Sequence, residues 1–329
     1  MTHILPHPRP HPRPNAQRGA ALLTALLTVA LIAGLASAAL RQQARLVESE
    51  IASRSSRQSD WLLLGASRWA ALILREDARA QGNERVDHLG EPWAVPIQES
   101  KLSDFLLQGQ AAQGSEPLVT LAGRIEDAQA RLNLGNLAGT DALAQASALC
   151  LAQLFRQLNL PPDDLSRLQT GIRRAALPRA STDHSAPLRP NRVEQLVWLG
   201  VSEATVQALA PHTVWLPTPT PINLNTASAQ VLSACIPGLD SSSAQWLVEQ
   251  RSRQHFRDLE ALQRLLGPRG KISPEVHALS SQYFDIHGQL RIEDQRLAQV
   301  FRVRRVQNQI EFLSRQAEAL PPGPASALK

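Results

Sequence analysis

The stretch that decides the fold is Asn15 to Gln43, NAQRGAALLTALLTVALIAGLASAALRQQ. From Ala20 to Leu40 it has 21 residues without a charge, and a helix of that length covers about 30 Å, the thickness of the hydrocarbon core of a bilayer. No acidic residue precedes this run, and the positive-inside rule keeps its basic leader in the cytoplasm. We therefore predict a membrane-spanning helix, with everything after Leu40 outside the cytoplasm. The upstream charges are Arg9, Arg13 and Arg18.

Two kinds of processing fit this stretch. Ala36-Ser37-Ala38 is similar to a signal-peptidase site at the end of the apolar run, and cleavage there would remove the helix. The chain beyond favours retention, because no proline occurs between Pro14 and Pro92 and helix-forming residues continue from Arg41 to Gln81. We expect one helix that leaves the membrane as a stalk and stops at Gln81-Gly82-Asn83.

A short basic leader that ends in glycine, followed by a small residue and an apolar helix, resembles the type IV pilin and pseudopilin class. The resemblance implies that a prepilin peptidase cuts between Gly19, next to Arg18, and Ala20, and that the new amino terminus at Ala20 is methylated. Most members of the class have Glu at the fifth mature residue, but this chain has Thr24 there. A buried carboxylate needs a cationic neighbour, so its loss is what we expect of a subunit at a fibre tip.

Later segments resemble the K family of minor pseudopilins of type II secretion, and they occur in the family's order. They are HLGEPWAVPI from His88, LAGRIEDAQARLNLGNL from Leu121, PINLNTASAQVLSACIPGLD from Pro221 and the closing segment from Leu279 to Leu313. The resemblance implies a structural subunit and not an enzyme, anchored in the bacterial inner membrane with its C-terminal region in the periplasm. It also implies the minor pseudopilins I and J as partners, through the stalk helices.

The fold class that we predict is α+β: a long N-terminal membrane and stalk helix, a pilin-like antiparallel sheet, and an inserted all-α domain with a helix-hairpin-helix (SAM-like) element. Helical spacing predicts helices over Asp141–Leu160, Asp163–Ala175, Asn191–Leu199 and Ser202–Ala210, and strand character returns at Ser280–Ile292 and Gln299–Phe312. The predicted domains are a leader (1–19), a membrane helix (20–40), a stalk (41–81), the first part of the sheet (82–139), the helical insert (140–275), the second part of the sheet (276–315) and a disordered tail (316–329).

Within the insert, residues 223–253 predict a helix-hairpin-helix, with Thr226 capping a helix to Cys235 and a second helix starting near Ser241. In DNA-binding hairpins of this kind the backbone amides hold phosphate, with cationic side chains close by. No Lys or Arg occurs from Ile222 to Gln250, so we expect a packing element and no nucleic acid partner. A membrane-anchored DNA receptor of the competence type is the alternative.

The net charge gives no case for nucleic acid either. The formal charge is +5, but the leader has three arginines and no acids, which leaves 31 basic against 29 acidic side chains beyond it. Cys150 and Cys235 would face an oxidising periplasm, where they could pair or remain two buried thiols.

Motifs of catalysis and metal binding are missing from the sequence. There is no G-x-S-x-G, no Gly-rich phosphate loop, no H-E-x-x-H and no C-x-x-C. Members of the K family typically bind calcium through an acidic segment, but Leu165–Pro190 has one acid, Asp183, and five arginines. We therefore expect no metal and no cofactor, calcium included. The arginines at 302, 304 and 305 are interpreted as a solvated strand face.

The apolar stripe of the stalk is where we expect partner helices to bind. Its candidate residues are Leu46, Ile51, Leu62, Trp69 and Ile73.

Overall fold

The computed structural model describes residues 17–80, 85–101, 119–177, 187–292 and 295–318. The chain divides into two compact units, Met1–Trp61 and Leu62–Lys329, and each is described by itself. The sheet and the helical segment that interrupts it both lie in the second unit. The predicted domain boundaries within that unit remain predictions.

The first element is a 64-residue helix, α1 (Gln17–Ala80), as the absence of proline predicted. In the first unit its apolar side chains from Leu22 to Leu40 are exposed. Length and composition make this helix able to cross a membrane. The predicted stop at residues 81–83 lies outside the described residues.

The sheet of the second unit is antiparallel, with strand order β1-β2-β7-β8-β9. Two of its strands precede the helical segment and three follow it, which agrees with the predicted α+β class. The bounds are β1 (Ile97–Lys101), β2 (Val119–Asp127), β7 (Tyr283–Ile292), β8 (Gln295–Val306) and β9 (Gln309–Ala317).

Two features of the sheet differ from the prediction. The last predicted strand, Gln299–Phe312, is two strands joined by a tight turn at Gln307-Asn308, where Gln307 has a φ of 54°. No glycine marks this turn, whose sequence is Gln307-Asn308, so the usual glycine signal of a two-residue hairpin turn is missing. Strand β1 lies within residues 82–139, the predicted first part of the sheet, but no strand was predicted at Ile97–Lys101 itself.

Helix α1 packs on the sheet through its last five turns. Leu63 and Leu74 are fully buried against a core that includes Phe284 and Phe301. Gly288 of β7 makes this close approach of the helix possible, and it lies directly opposite Gly123 of β2. A Cβ on Gly288 would lie 3.1 Å from Leu63 Cδ2, and one on Gly123 would lie 3.0 Å from the carbonyl oxygen of His287.

The helical segment between β2 and β7 has its own apolar core, which includes Leu151, Leu154 and Leu168. Its α-helices are α2 (Ala142–Gln157), α3 (Pro162–Ala176), α4 (Glu203–Leu209), α5 (Ala229–Cys235), α6 (Ser241–Arg253) and α7 (Leu259–Leu266). Short 3-10 turns occur at Pro92–Ala94, Ala128–Ala130, Leu134–Ala138, Val193–Leu199 and Gly267–Arg269. Two parallel ladders join β3 (Leu132–Asn133) to β4 (Thr213–Val214) and β5 (Ile222–Asn223) to β6 (His277–Ala278).

Most predicted helices of this segment occur within a few residues of their expected ends. The exception is Asn191–Leu199, which is a 3-10 helix over Val193–Leu199 that ends at Gly200 in a left-handed conformation. Cys150 of α2 and Cys235 of α5 form a disulfide, which decides between the two possibilities for these cysteines.

The predicted cap at Thr226 is wrong. Ser228 caps α5, because its side chain accepts from the amide of Val231. The Thr226 hydroxyl donates instead to Asp127, which lies 99 residues earlier in the chain. Helices α5 and α6 are joined through Ile236–Asp240, and their description as a helix-hairpin-helix stays a prediction.

Candidate functional site

The five stalk residues expected to bind partners have different environments on α1. Leu46 and Ile51 belong to the first unit, where their side chains are 61% and 62% exposed. Leu62 and Ile73 are half-buried and pack against the sheet core, so part of their surface is already covered by this chain. Trp69 is 48% exposed. Trp69 is therefore the best candidate anchor in the second unit.

Trp69 lies on the wall of an apolar groove of about 240 Å³ in the second unit. The groove runs between α1, the loop after it and the face of the sheet, and apolar side chains make up nearly all of its surface. Such a surface suits the apolar face of a helix. The apolar lining includes Leu63, Ala66, Ala70, Ile73, Pro92, Trp93, Val95, Pro96, Leu121, Ile125 and Ile286.

The E-x-W segment holds one side of this groove in place. Trp93 is buried, packs edge-on against Phe284 at 5.2 Å between ring centroids, and donates from its indole nitrogen to Glu91 Oε2 at 2.6 Å. Glu91 also accepts from the amide of His88 at 3.0 Å. Burial raises the pKa of the Glu91 carboxyl to about 7. Trp93 of the motif is therefore part of the core. Val95, two residues later, is 65% exposed and lies at the rim of the groove.

A polar cluster closes the other end of the groove. His287 has Nδ1 3.0 Å from Glu318 Oε1 and Nε2 3.3 Å from Glu126 Oε2. Arg124 donates to Glu126 Oε1 at 2.7 Å. Hydrogen bonds from His287 and Arg124 hold the pKa of the Glu126 carboxyl at about 2. Nothing in the sequence alone indicated this cluster, because its members come from β2, β7 and the end of β9.

Three carboxylates beneath the groove resemble a metal site. Asp77, Asp87 and Glu91 have oxygens that all lie within 4.8 Å of one another. Arg305 supplies the positive charge there: its Nη2 lies 2.6 and 2.5 Å from the two oxygens of Asp87, and its Nη1 lies 3.7 Å from Asp77. We interpret these residues as a buried ion-pair joint between α1, the following loop and β8.

The interpretation of the three C-terminal arginines as a solvated face is therefore wrong. Arg305 is buried, Arg302 donates to both oxygens of Asp285 at 2.8 and 2.9 Å, and Arg304 is half-buried 5.8 Å from the ring centre of Tyr283. Their partners are distant in sequence, so the strand pattern alone could not reveal them.

The motifs that carried the family resemblance meet in one buried hydrogen-bond network. Asp127 accepts from Asn223 at 2.9 Å and from the hydroxyls of Thr226 and Ser281 at 2.6 Å each. Burial raises the pKa of Asp127 to about 6. Asn133 bonds to the Thr218 carbonyl and to the amide of Leu216, so the loop before β5 is held in the same way. These residues join the sheet to the helical segment.

The region expected to lack calcium is described only in part. Asp164, just before it, accepts from Arg167 at 2.9 Å and from the hydroxyls of Ser202 and Thr205 at 2.7 Å each. Both carboxylate oxygens of Asp164 therefore already accept hydrogen bonds from this chain. Asp183 lies outside the described residues.

The expected cleavage site lies close to Gln17, the first described residue. The backbone of Arg18, Gly19 and Ala20 is helical within α1, but their side chains are not described. Cleavage and methylation therefore stay predictions.

Comparisons with known proteins agree with the architecture. The profile of the family described as "Type II secretion system (T2SS), protein K" matches residues 222–280, which include Asn223, Thr226 and Cys235. The type II secretion system protein K of Pseudomonas aeruginosa is 30% identical in an alignment of 278 residues, and the alignment covers 76% of this chain and 79% of that protein.

A solved structure has the same fold. A chain in the crystal structure of the GspK-GspI-GspJ complex from the type 2 secretion system of enterotoxigenic Escherichia coli superposes with a TM-score of 0.58. The alignment covers 82% of this chain and 99% of that chain, at 18% identity.

Proposed function

Because the chain belongs to the family of type II secretion system protein K, we propose that it occupies the tip of the pseudopilus, where it initiates or caps assembly for protein export across the outer membrane. A minor pseudopilin of type II secretion is a structural component, and what this chain supplies is binding surface.

The proposed position at the tip rests on Thr24, which stands where most members of the class have Glu. Its hydroxyl donates to the carbonyl of Ala21 at 3.0 Å, so the polar group is satisfied inside its own helix. No charged residue occurs from Ala20 to Leu40. A subunit inside the fibre would pair a carboxylate at this position with the amino terminus of the next subunit ahead. A neutral Thr24 fits a subunit with none ahead of it.

Thr24→Glu in the full chain tests this placement. We expect secretion to fall several-fold, because a carboxylate without an amine in the apolar layer is destabilising, by at most about 2.5–3.5 kcal/mol, the cost at the centre of a membrane helix. Secretion is measured in a strain that lacks the native gene, with Thr24→Val as the neutral control. Secretion that is unchanged or improved by Glu would place the subunit inside the fibre.

The amino terminus belongs to the same proposal. We propose that prepilin peptidase cuts between Gly19 and Ala20, that Ala20 is methylated, and that the mature chain stays in the inner membrane with its C-terminal region in the periplasm. Intact-mass analysis of membrane fractions should give a methylated chain that begins at Ala20, and Gly19→Val should remain uncut. A chain that begins at Ala39 would contradict this.

The partners that we propose are the minor pseudopilins I and J. The solved complex whose chain shares this fold contains GspK, GspI and GspJ. In this chain the groove beside Trp69, together with the exposed Leu46 and Ile51, provides apolar surface for partner helices. Co-purification of the full chain with I and J from detergent-solubilised membranes tests the assignment.

A competence-type DNA receptor is not favoured. From Ile222 to Gln250 there is no Lys or Arg. Arg251, the next cation, is buried and donates to the Leu224 carbonyl at 2.7 Å. The element predicted as a helix-hairpin-helix therefore has no cation directed at a phosphate among these described residues.

A further inference from the structure

A second cavity, on the side of the helical segment, has a different chemistry from the groove. It has a volume of about 620 Å³ and lies between residues 189–195, the segment after β4, and strands β8 and β9. Four arginines line it: Arg189, Arg192, Arg302 and Arg315. The proposed function gives this cavity no role.

The charge of this arginine pocket is strongly unbalanced. No Asp or Glu is among the described residues that line it. Arg302 pairs with Asp285, but Asp285 also accepts from Arg131 at 2.6 Å, so these three groups together keep one positive charge. Arg189 and Arg192 are exposed, and among the described residues no carboxylate lies within ion-pair distance of either. An anion that enters the pocket therefore meets Arg189 and Arg192, two cations that no carboxylate of the described residues neutralises.

The floor of the pocket, where Arg302 lies beside an apolar surface, favours carboxylates that are attached to aliphatic chains. Arg302 is held in place by a bond of 2.7 Å from Nη1 to the carbonyl of Trp215, a residue that also lines the pocket. Leu313 is 42% exposed beside it, and Pro217 completes an apolar surface. Guanidinium groups bind carboxylates through paired hydrogen bonds, and the apolar floor accommodates aliphatic side chains. A phosphate polyanion would gain nothing from that floor.

The remaining wall comes from a sheet edge. Strand β9 is the last strand in the order of the described sheet, and its residues 313–316 line the pocket. An extended peptide can add to such an edge through main-chain hydrogen bonds while its side chains enter adjacent pockets.

We propose that the arginine pocket binds an acidic polypeptide segment in extended conformation. Its carboxylates pair with Arg189 and Arg192, and its apolar side chains contact Leu313 and Trp215. The inference goes beyond the proposed function and does not depend on I or J, because the pocket is formed by this chain alone.

Fluorescence anisotropy of the full chain in zwitterionic detergent micelles tests the proposal. The probe is a labelled nine-residue peptide with Glu and Leu alternating, and the matched peptide has Gln in place of Glu. We expect saturable binding of the Glu peptide, at least tenfold weaker binding of the Gln peptide, and weaker binding as salt rises.

Arg189→Gln with Arg192→Gln should weaken binding of the Glu peptide at least tenfold. Arg264→Gln, an exposed arginine on α7, is the matched control and should bind like the parent. Circular dichroism melts check that all variants fold.

The proposal would be overturned by the absence of saturable binding, by equal binding of the two peptides, or by an unchanged affinity in the double variant. Competition by inorganic phosphate at the same concentration as the peptide would also overturn it, because the pocket would then be a general anion site.

Discussion

Glu91 shows how one residue of a motif can be structural and still make the protein sensitive to pH. Its carboxyl accepts from Trp93 and from the amide of His88, and burial raises its pKa to about 7, above the ordinary value of 4.5. The folded state therefore binds this proton more tightly than the unfolded state does. The stability it contributes is fully present below about pH 4.5 and is lost as the pH rises through about 7.

Glu91→Gln should remove this dependence, because the amide oxygen can still accept a hydrogen bond but does not titrate. We expect the fall in melting temperature between pH 5 and pH 7 to be smaller in the variant than in the parent. Buried histidines with a lowered pKa, such as His277, act in the opposite direction, so the difference between the two proteins is the quantity to compare. Glu260→Gln, at an exposed site on α7, is the control. An identical slope in parent and Glu91→Gln would contradict the assignment.

Helix α1 changes its role along its length. From Leu63 onward one face is buried in the sheet core, above the opposed Gly123 and Gly288, while Trp69 stays half exposed at the groove. The face that contains Leu63 and Leu74 belongs to the fold, and we propose that Trp69 serves partner binding.

Trp69→Ala should weaken the complex of the full chain with I and J by about 1–3 kcal/mol, because a half-exposed aromatic at the edge of an apolar groove is a typical anchor. Trp198→Ala is the matched control, since Trp198 is 49% exposed on the helical segment, away from the groove. Binding is measured by titration in detergent, and melting temperatures are compared in parallel. If Trp69→Ala lowers the melting temperature of the chain alone by many degrees and leaves binding intact, the residue belongs to the core.

In the whole molecule, the helical segment is fastened by covalent and polar links. The Cys150–Cys235 disulfide joins α2 to α5 across a sequence separation of 85 residues, and the Asp127 network joins β2 to β5 and to the start of β7. A cross-link over a loop of that length typically contributes about 2–4 kcal/mol. Asp164, just before the segment Leu165–Pro190 where calcium ligands are missing, accepts hydrogen bonds from Ser202, Thr205 and Arg167.

Stability should therefore depend on the redox state and hardly on calcium. We expect the melting temperature of the full chain in detergent to fall by several degrees after reduction, and in the variant with both cysteines changed to Ser. It should be nearly the same in calcium and in chelator. A rise of several degrees with calcium would mean that carboxylate ligands occur where none is expected.

The sequence by itself determined what is local along the chain. An uninterrupted apolar helix, the order of the motifs and the spacing of apolar residues depend on neighbours a few positions apart, so α1, α2, α3, α4 and the main strands could be predicted. The turn at Gln307 was missed because a residue without glycine's freedom adopts the left-handed conformation there.

Only the tertiary structure decided which distant side chains meet. The pairing of Arg305 with Asp87, the bonds of Thr226 and Asn223 to Asp127, the disulfide, and the grouping of Arg189 and Arg192 with β8 and β9 all join residues far apart in sequence. A charge or hydroxyl has no periodicity that identifies its partner, and its burial depends on how the layers pack. These ion pairs, hydrogen bonds and the arginine pocket therefore depend on how the sheet and the helical segment pack together, and they could not be predicted from the sequence.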